Sequence, residues 1–579
     1  MTAVLQRVVV RPKADAPALY VDGRSYGTYF NAFPAAYWRR WTTVRTVVLR
    51  LSAVGTVSVF RSDATGRATL VEERAVDGQT EFSVELSGFD DGGWLWFDLD
   101  GDLAEGAWHS PEELPERTLM IGVTTFNRVD DCVGSLLALG ADTEVMAKVS
   151  RVLVADQGTD KISGHAKFAE AAALLGDRLR VVEQDNLGGS GGFARAFTEF
   201  EKSDADHLLL LDDDIVLEPD SILRAHAFAA ASAEPVIVGG QMLNLVSPTR
   251  LHSMGEVVDL ERCVWTAAPG AVTDHDFAAA SLRETPELHR RVDVTYNGWW
   301  MCLFPREVVR RTGLPLPLFL KWDDAEYGLR ALEKGISTVT LPGAAVWHMP
   351  WTAKNDTDWP AYFLLRNRLV NAALHATGDV RRTLLLQGMW MTMRRLLSMQ
   401  YSTVALELMA VEDFLAGPGR LPDLLRTGLG RVKAEQAGYP DAQLKASVEE
   451  LPSPVHGPAD TARLLAEGGH PARVLAYAAR GLAHNLRPAP PSGAPQVLAE
   501  ATDAPWFRLG TLDSAAVVNA DGSAALRQRD PKVFRELSKR AAADYRRLIR
   551  EWPALVDAYR SALPTLTSTD SWTEVLDRP

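Results

Sequence analysis

The chain has 579 residues, of which 46% are hydrophobic and 23% are charged, and its formal net charge is −14. This composition is typical of a globular protein of two or three domains, and the acidic balance argues against a general nucleic-acid binder. Its three cysteines, Cys132, Cys263 and Cys302, form no CxxC pair. Neither a disulfide framework nor a zinc-thiolate site is therefore indicated, and a reducing cytoplasm fits best.

The N-terminal region, residues 1–115, begins without the apolar core and cleavage site of a secretory signal. Short β-branched runs then alternate with turn residues, in the order TTVRTVVLRLSA, GTVSVFRS, EFSVELSG and GGWLWFDLD. This pattern predicts a small β-sandwich or barrel. Between the first residues and these runs, FNAFPAAYWRRW could either pack a domain interface or guide a polymer, and we prefer the interface.

The middle region, residues 116–370, has a different pattern. Apolar strands are separated by helix-length spacers, and they read TLMIGVTTFN, RVLVADQG, RLRVVEQD, DHLLLLDDD and PVIVGGQM. Such alternation predicts an α/β domain with a largely parallel sheet.

The C-terminal region, residues 371–579, is rich in Ala, Leu and Arg at helical spacing, which predicts a helical domain with loops at its Pro/Gly-rich segments. No uninterrupted run of apolar residues is long enough for a membrane-spanning helix. The nearest, Val380 to Tyr401, has arginines flanking a Leu/Met/Trp centre. It is either a core helix with solvated ends, which we prefer, or a helix lying in a membrane interface.

Polar residues follow the predicted strands of the middle region, where ligands bind in open α/β sheets. The candidates at these strand ends are Thr124, Thr125, Asn127, Arg128, Asp156, Gln157 and Asn186. A glycine-rich loop, residues 188–192, comes next, and a helix is expected near Phe193. The loop has neither GK[ST] nor GxGxxG spacing, so it is as readily a structural turn as a ligand loop.

The run Asp212, Asp213 and Asp214 is a stronger signal because it ends a strand of four leucines. Carboxylates at this position suit a hard divalent cation that bridges them to a diphosphate. An exposed acidic turn or a helix cap is the alternative. Side chains alternate along a strand, so Asp212 and Asp214 are the metal candidates, while Asp213 serves the nucleotide sugar or the fold.

Three further motifs carry polar or aromatic groups. Adjacent Trp299 and Trp300 face opposite sides of a strand, so one could be core and the other a platform for a sugar ring. Asp323 and Asp324 begin a predicted helix, where a cap explains one and a general base for a hydroxyl explains the other. His348 is either a core histidine or a third metal ligand.

Taken together, the DDD strand end, the WDDAEY helix start and the downstream histidine resemble inverting nucleotide-sugar glycosyltransferases of the GT-A fold. More narrowly, YFNAFPAAYWRRWT, NGWWMCLFP and WHMPWTAKNDTDWP resemble the polymerising galactofuranosyltransferases of actinobacterial cell-wall galactan synthesis. The predicted fold is thus a GT-A α/β catalytic domain between the N-terminal β domain and the C-terminal helical domain.

The resemblance implies transfer of galactofuranose, with inversion, from UDP-galactofuranose to a lipid-linked galactan through β-1,5 and β-1,6 linkages. It also implies a homotetramer at the inner face of the cell membrane. The implied roles are as follows: Asp324 as base; Asp212, Asp214 and His348 as ligands of Mn²⁺ or Mg²⁺; Arg128, Asp156, Gln157, Asn186, Asp212 and Asp213 as nucleotide-sugar contacts; and Glu256, Trp265, Trp299, Trp300 and Asp323 as sugar or acceptor contacts.

Two alternatives remain open at this point. One is a transferase of the same fold that uses another nucleotide sugar. The other is a glycan-binding scaffold whose transferase domain is inert.

Overall fold

The computed structural model describes residues 3–10, 13–351, 355–466, 470–489, 493–502 and 504–577. Two segments noted above lie partly outside these residues. The motif WHMPWTAKNDTDWP contains residues 352–354, and the proline-rich segment Arg487 to Pro495 contains residues 490–492.

The N-terminal region forms one sheet and a short helix. Its elements are β1 (Ala3–Arg7), α1 (Ala35–Trp41), β2 (Thr46–Ser62), β3 (Ala68–Glu85) and β4 (Leu95–Ser110). The sandwich or barrel we predicted is instead a single four-stranded antiparallel sheet in the order β1-β4-β2-β3. Gly55, which separates two predicted strands, lies inside β2 opposite Gly101. A β-carbon on Gly55 would lie 2.2 Å from the carbonyl oxygen of Asp100, so this glycine serves close strand approach and not a turn.

The FNAFPAAYWRRW segment packs between this sheet and the middle region, as we preferred. The Trp38 ring meets Phe228 edge to face at 5.1 Å, and Phe30 lies 5.7 Å from Trp347. The hydroxyl of Tyr29, directly before the segment, donates a 2.8 Å hydrogen bond to Gln241. The aromatic side chains of this segment are therefore part of the domain interface.

The middle region contains twelve described strands, ten of which form one sheet that is covered by helices. The strands that it contributes are β5 (Leu119–Thr125), β6 (Val149–Asp156), β7 (Leu179–Glu183), β8 (His207–Leu211), β9 (Ile215–Leu217), β10 (Ile237–Asn244), β11 (Arg250–Ser253), β12 (Glu256–Asp259), β13 (Val264–Ala267), β14 (His275–Asp276), β15 (Met301–Pro305) and β16 (Thr338–His348). The helices are α2 (Val129–Ala141), α3 (Thr143–Lys148), α4 (Phe168–Leu175), α5 (Gly188–Glu201), α6 (Pro219–Ala231), α7 (Arg306–Thr312) and α8 (Asp323–Glu333).

The sheet runs in the order β14-β11-β10-β15-β8-β5-β6-β7, and β16 pairs with β10 and β9, whereas β12 and β13 form a separate hairpin. Strands β8, β5, β6 and β7 are mutually parallel, but β15 is antiparallel to both of its neighbours. The α/β class is confirmed, with a mixed sheet where we expected a largely parallel one. The parallel set places the carboxyl ends of β5, β6 and β8 at one edge.

The four leucines of β8 explain why the acidic run stands at that edge. Leu208 to Leu211 are all buried, because β8 is flanked by β5 and β15 and covered on both faces. The strand ends at Leu211, so the three aspartates lie immediately beyond its last buried residue.

The C-terminal region is helical, with one small sheet that we did not predict. Its helices are α9 (Pro360–His375), α10 (Arg381–Leu397), α11 (Tyr401–Leu415), α12 (Leu421–Gln436), α13 (Pro458–Leu465), α14 (Pro471–Asn485), α15 (Trp506–Leu509), α16 (Pro531–Leu566) and α17 (Thr569–Asp577). The sheet consists of β17 (Val497–Glu500), β18 (Ser514–Val518) and β19 (Ala524–Gln528). Its strands are only four or five residues long, which is too short for a clear alternating pattern.

Helix α17 returns to the middle region and packs on α5. The indole of Trp572 is buried and donates a 2.7 Å hydrogen bond to the carbonyl of Pro315. Arg195 of α5 donates a 3.0 Å hydrogen bond to the carbonyl of Leu576. The last described helix thus covers the outer side of the helix that begins with the glycine loop.

Helix α10 is neither wholly core nor wholly surface. Leu384 and Leu396 are buried, whereas Leu386, Met389 and Trp390 are 57%, 53% and 46% exposed. Within the described ranges, no helix is long and apolar enough to cross a membrane.

His207 and His226 form a buried pair at the opposite end of β8 from the acidic run. Their Nδ1 atoms are 3.0 Å apart, and Nε2 of His226 is 3.0 Å from the carbonyl oxygen of Arg117. Burial lowers the pKa of His207 to about 3 and that of His226 to about 4. Both side chains are therefore neutral in the folded protein at neutral pH.

We expect the free energy of unfolding to fall as the pH is lowered from 7 to 5. The unfolded histidines take up protons near their ordinary pKa of 6.5, while the folded pair resists protonation down to about pH 4, so acid favours the unfolded chain by about 2 kcal/mol per histidine at pH 5. Urea unfolding at both pH values measures the loss. A His207→Leu, His226→Leu double variant should lose less stability than the wild type, and equal losses would contradict the prediction.

Candidate active site

Three of the predicted metal ligands meet at the edge of the sheet. Strand β9 pairs with the end of β16, which brings His348 opposite Ile215 and beside the acidic run. The Nε2 atom of His348 lies 2.9 Å from Oδ1 of Asp214 and 3.7 Å from Oδ2 of Asp212. One ligand atom from each of the three residues lies within 4.8 Å of the others.

This group fits a divalent cation in donor type and orientation. Nδ1 of His348 is 2.8 Å from the carbonyl oxygen of Met349, so it carries the proton and donates to that oxygen. The Nε2 lone pair is then directed at the two carboxylates, in the tautomer that a metal-binding histidine requires. Two carboxylate oxygens and one imidazole suit Mn²⁺, and the carboxylates also suit Mg²⁺.

Asp213 points the other way, as we predicted, although the acidic run lies in a bend between β8 and β9 and not on the strand itself. Its Oδ2 accepts a 3.1 Å hydrogen bond from the backbone N–H of Phe126, at the end of β5. Burial, and secondarily the charge of Asp212, raises its pKa to about 7. Asp213 therefore joins the ends of β5 and β8 instead of facing His348.

The predicted nucleotide-sugar contacts lie at the same edge, but the fold uses several of their side chains. Asp156 accepts hydrogen bonds from the backbone N–H groups of Gly158 and Ile162, at 3.0 and 3.1 Å. Gln157 bonds on both its amide nitrogen and its oxygen with protein groups near the glycine loop. Asn186 accepts a 3.0 Å hydrogen bond from the N–H of Gly188. Their contact with a nucleotide sugar remains a prediction.

Arg128 differs from these residues because its guanidinium stands at the surface. It precedes α2 and lies 3.5 Å from the carboxylate of Asp131, and both side chains are about half exposed. A pair this exposed contributes little to stability. Arg128 is thus available to an anionic ligand at the strand edge.

The glycine loop is a packing device. Helix α5 begins at Gly188, five residues before the predicted start at Phe193. A β-carbon on Gly192 would lie 1.7 Å from Oγ1 of Thr124, and one on Gly188 would lie 2.0 Å from the carbonyl oxygen of Phe319. Gly188 also has φ of +69°. These glycines let α5 approach β5 and the segment before α8 closely.

The two carboxylates of WDDAEY stand at the start of α8. Asp323 is buried, whereas Asp324 is partly exposed, and its Oδ1 accepts a 2.7 Å hydrogen bond from the N–H of Ala325. Burial is the main cause that raises the pKa of each to about 7. A carboxylate with a pKa near the working pH, and with open surface, can accept a proton from a hydroxyl.

The hairpin of β12 and β13 covers this helix start. Glu256 is buried and accepts a 2.7 Å hydrogen bond from the hydroxyl of Tyr296. Burial raises the pKa of Glu256 to about 7, and its charge in turn raises that of Asp324. The ring of Trp265 lies 4.8 Å from that of Trp322, next to Asp323. The hairpin thus brings Glu256 and Trp265 to the start of α8, while their contact with a sugar remains a prediction.

The two tryptophans face different sides, but they lie in a turn directly before β15 and not on the strand that we expected. Trp299 packs in the core, edge to face with Phe193 at 5.4 Å. Trp300 lies on the opposite side, 6.5 Å from the His348 ring and 6.0 Å from Trp351. Trp300 thus borders the metal-ligand group, but it is also buried and its indole donates a 2.8 Å hydrogen bond to the carbonyl of Gly240. A sugar contact by either ring therefore remains a prediction.

Sequence reasoning missed one part of the site, the segment Leu318–Trp322 before α8 and the side chains of α9 that hold it. Phe319, Lys321 and Trp322 all have positive φ values, between 66° and 70°. Arg366 and Asn367 are fully buried beneath this segment. Neither glycine nor a turn motif marks the segment, so only Pro315 and Pro317, which directly precede it, could have signalled irregular backbone.

The α/β sheet, the acidic strand end and the paired carboxylates define a glycosyltransferase of the family 2 type. Residues 115–372 match the family described as glycosyltransferase like family 2. Among solved structures, GalNAc-T7 with UDP, GalNAc and Mn²⁺ is a distant likeness, with 14% identity over 46% of this chain and 49% of that one, and a TM-score of 0.32.

The flanking regions specify the family further. Residues 5–111 match the galactofuranosyltransferase 2 N-terminal family, and residues 384–578 match galactofuranosyltransferase-2, domain 3. The galactofuranosyltransferase GlfT2 of Mycolicibacterium smegmatis is 47% identical, over 95% of this chain and 88% of its own length. That of Mycobacterium tuberculosis is 45% identical, over 95% and 90%. The chain belongs to the GlfT2 family of galactofuranosyltransferases, which confirms the predicted family, fold class and enzyme class.

Proposed function

We propose that this enzyme transfers galactofuranose from UDP-galactofuranose to the non-reducing end of a growing lipid-linked galactan, with inversion and with β-1,5 and β-1,6 linkages. The observation that carries the mechanism is Asp324, a partly exposed carboxylate of raised pKa beside Glu256 and Trp265. Asp324 takes the proton of the acceptor hydroxyl as that oxygen attacks the anomeric carbon.

The donor side uses the sheet edge. Asp212, Asp214 and His348 would hold Mn²⁺ or Mg²⁺. When bound, the cation would offset the negative charge of the departing diphosphate. Arg128 would add a cation at the same edge, and Asn186 would stand at the start of the glycine loop. Trp300 and Trp265 would offer ring faces to the two sugars, while Asp323 would orient Asp324 through its place in the helix start.

The test is incubation with UDP-galactofuranose, a short galactofuranoside and Mn²⁺ or Mg²⁺. Mass spectrometry reads product length, and linkage analysis reads regiochemistry. Products extended by galactofuranose in both linkages support the proposal. Transfer from a different nucleotide sugar at a higher rate would overturn the donor assignment, and absence of both products and UDP release would overturn the reaction.

We further propose a homotetramer that contacts the inner face of the membrane through α10 and α14. Neither helix contains an acidic residue, and both carry arginines, although the whole chain has a net charge of −14. Helix α14 contacts α10, and its Leu475 and Leu482 are 63% and 38% exposed. A basic face with apolar and tryptophan side chains is suited to an anionic lipid surface.

Sedimentation with vesicles measures this contact. The protein is expected to bind vesicles rich in phosphatidylglycerol and not neutral ones, and Leu386→Ser with Trp390→Ser should reduce binding about tenfold. Leu174→Ser, at a leucine of α4 that is 44% exposed, is the control. The opposite outcome is that the wild type does not bind vesicles and the double variant has a different molecular mass by sedimentation equilibrium. This face would then join subunits and would not contact lipid.

A further inference from the structure

We propose that Asn367 is a positioning residue, which holds the strained backbone of Leu318–Trp322 so that Asp324 stands in place to accept the acceptor's proton. This inference rests on the role proposed above for Asp324. The segment Leu318–Trp322 is called the arch below.

The arch is a backbone conformation that its own residues disfavour. Phe319, Lys321 and Trp322 have φ values of 70°, 66° and 70°. Side chains with a β-carbon avoid this left-handed region, and three such residues within four positions accumulate the penalty. Strain of this kind persists only where surrounding groups impose it. The structure must therefore contain groups that hold the arch.

Asn367 of α9 is the main such group. Its Nδ2 lies 3.1, 2.7 and 2.9 Å from the carbonyl oxygens of Leu318, Leu320 and Lys321. The amide has two hydrogens, so it shares them among three acceptors. Because all three carbonyls turn toward one nitrogen, the backbone between them is bent around Asn367.

Arg366 fixes the orientation of that amide. Its Nε donates a 2.9 Å hydrogen bond to Oδ1 of Asn367, and its Nη2 donates a 2.6 Å hydrogen bond to the carbonyl of Leu318. Both residues are 0% exposed. The donor face of the amide therefore cannot turn away from the arch without leaving buried polar groups unpaired.

The opposite side of the arch is closed by the glycine loop. The N–H of Ser190 donates a 3.2 Å hydrogen bond to the carbonyl of Phe319. The ring of Phe319 stacks on that of Phe363 at 4.7 Å. The arch is therefore held from two sides, by the hydrogen bonds of Asn367 in α9 and by that of Ser190 in the glycine loop.

The position of Asp324 follows from that of the arch. Trp322 directly precedes α8, and its indole offers no oxygen to cap the helix. The first turn is set instead by the path of the chain through the arch. The side chain of Trp322 also meets Trp265 of the hairpin beside Glu256. A shift of the arch would move Asp324 relative to both the hairpin and the acceptor.

Asn367→Ala is the test, and Asn371→Ala is its matched control. Asn371 is also buried in α9, one turn further on, but its amide bonds the carbonyl of Asn367 at 3.0 Å and does not reach the arch. We expect Asn367→Ala to lower kcat about tenfold or more, with the KM for UDP-galactofuranose and the Mn²⁺-dependent affinity for UDP within about threefold of wild type. Asn371→Ala should keep the wild-type kcat.

Hydrogen–deuterium exchange provides a readout that needs no substrate. Peptides covering residues 316–326 should exchange faster in Asn367→Ala than in Asn371→Ala. Equal exchange in the two variants would show that Asn367 does not hold the arch. Faster exchange with an unchanged kcat would overturn the positioning role. If Asn367→Ala does not fold, Asn367→Ser carries both measurements because its hydroxyl keeps one donor. If the wild type transfers no galactofuranose, the proposed function fails. The exchange comparison still decides whether Asn367 holds the arch.

Discussion

Replacing Asp324 by asparagine is expected to reduce galactofuranose transfer by about 10²-fold or more, because the amide cannot accept the acceptor's proton. The substitution keeps the shape of the side chain and removes a carboxylate whose charge is penalised by burial. The fold should therefore survive, and the Mn²⁺-dependent affinity for UDP should stay close to that of the wild type. Initial rates and UDP titrations by calorimetry measure the two quantities.

The pH dependence of the rate provides the accompanying control. Asp324 acts as a base only when deprotonated, and its pKa is raised to about 7 together with those of Asp323 and Glu256. Transfer by the wild type should rise as the pH is raised through 7, and the apparent value belongs to the three interacting carboxylates. Residual transfer by Asp324→Asn should lack this rise. Turnover by the variant equal to that of the wild type would refute the base assignment.

Replacing Asp214 by alanine should remove most of the metal dependence of UDP binding. Its Oδ1 is the carboxylate oxygen nearest to His348, at 2.9 Å, and loss of one of three protein ligands is expected to weaken Mn²⁺ binding at least about tenfold. Binding of UDP as a function of Mn²⁺ concentration measures the change, and transfer should fall in parallel.

Asp213→Asn is the matched control for this experiment. Asp213 is adjacent in the sequence but turns toward Phe126, and the asparagine oxygen can still accept that hydrogen bond. The Mn²⁺ concentration that gives half-maximal UDP binding should therefore be close to wild type in Asp213→Asn and raised in Asp214→Ala, whereas the UDP affinity at saturating Mn²⁺ reports the predicted nucleotide-sugar contact of Asp213. An unchanged titration in Asp214→Ala would exclude Asp214 as a ligand.

The parts of the site that follow from strand geometry were predictable from the sequence. Four consecutive leucines predict a buried strand, and the period of two then assigns Asp212 and Asp214 to one side and Asp213 to the other. The same rule predicts that Trp299 and Trp300 separate, and they do, although the structure places both in a turn before β15 and not on a strand. The approach of His348 to the acidic run required the pairing of β9 with β16, for which we had only the resemblance.

The parts that depend on close backbone approach were not predictable. Gly55 looks like a turn residue, but it lies inside a strand because Gly101 faces it. Gly188 and Gly192 look like a ligand loop, yet they accommodate Phe319 and Thr124. In each case the partner is remote in the sequence, so local composition does not identify what the glycine is for. The arch is the extreme case, since its conformation is imposed by α9.

Helix α17 has a consequence for the order in which the enzyme is completed during synthesis. Thr569, at its first position, bonds Glu201 at the end of α5 across 368 residues of chain. At ordinary translation rates, roughly 20 to 70 s separate the synthesis of these two partners. During that interval α5, whose first turn is the glycine loop, has an uncovered outer face. A nascent chain that has already formed its sheet would therefore leave this face of α5 open to solvent or to other chains until α17 emerges from the ribosome.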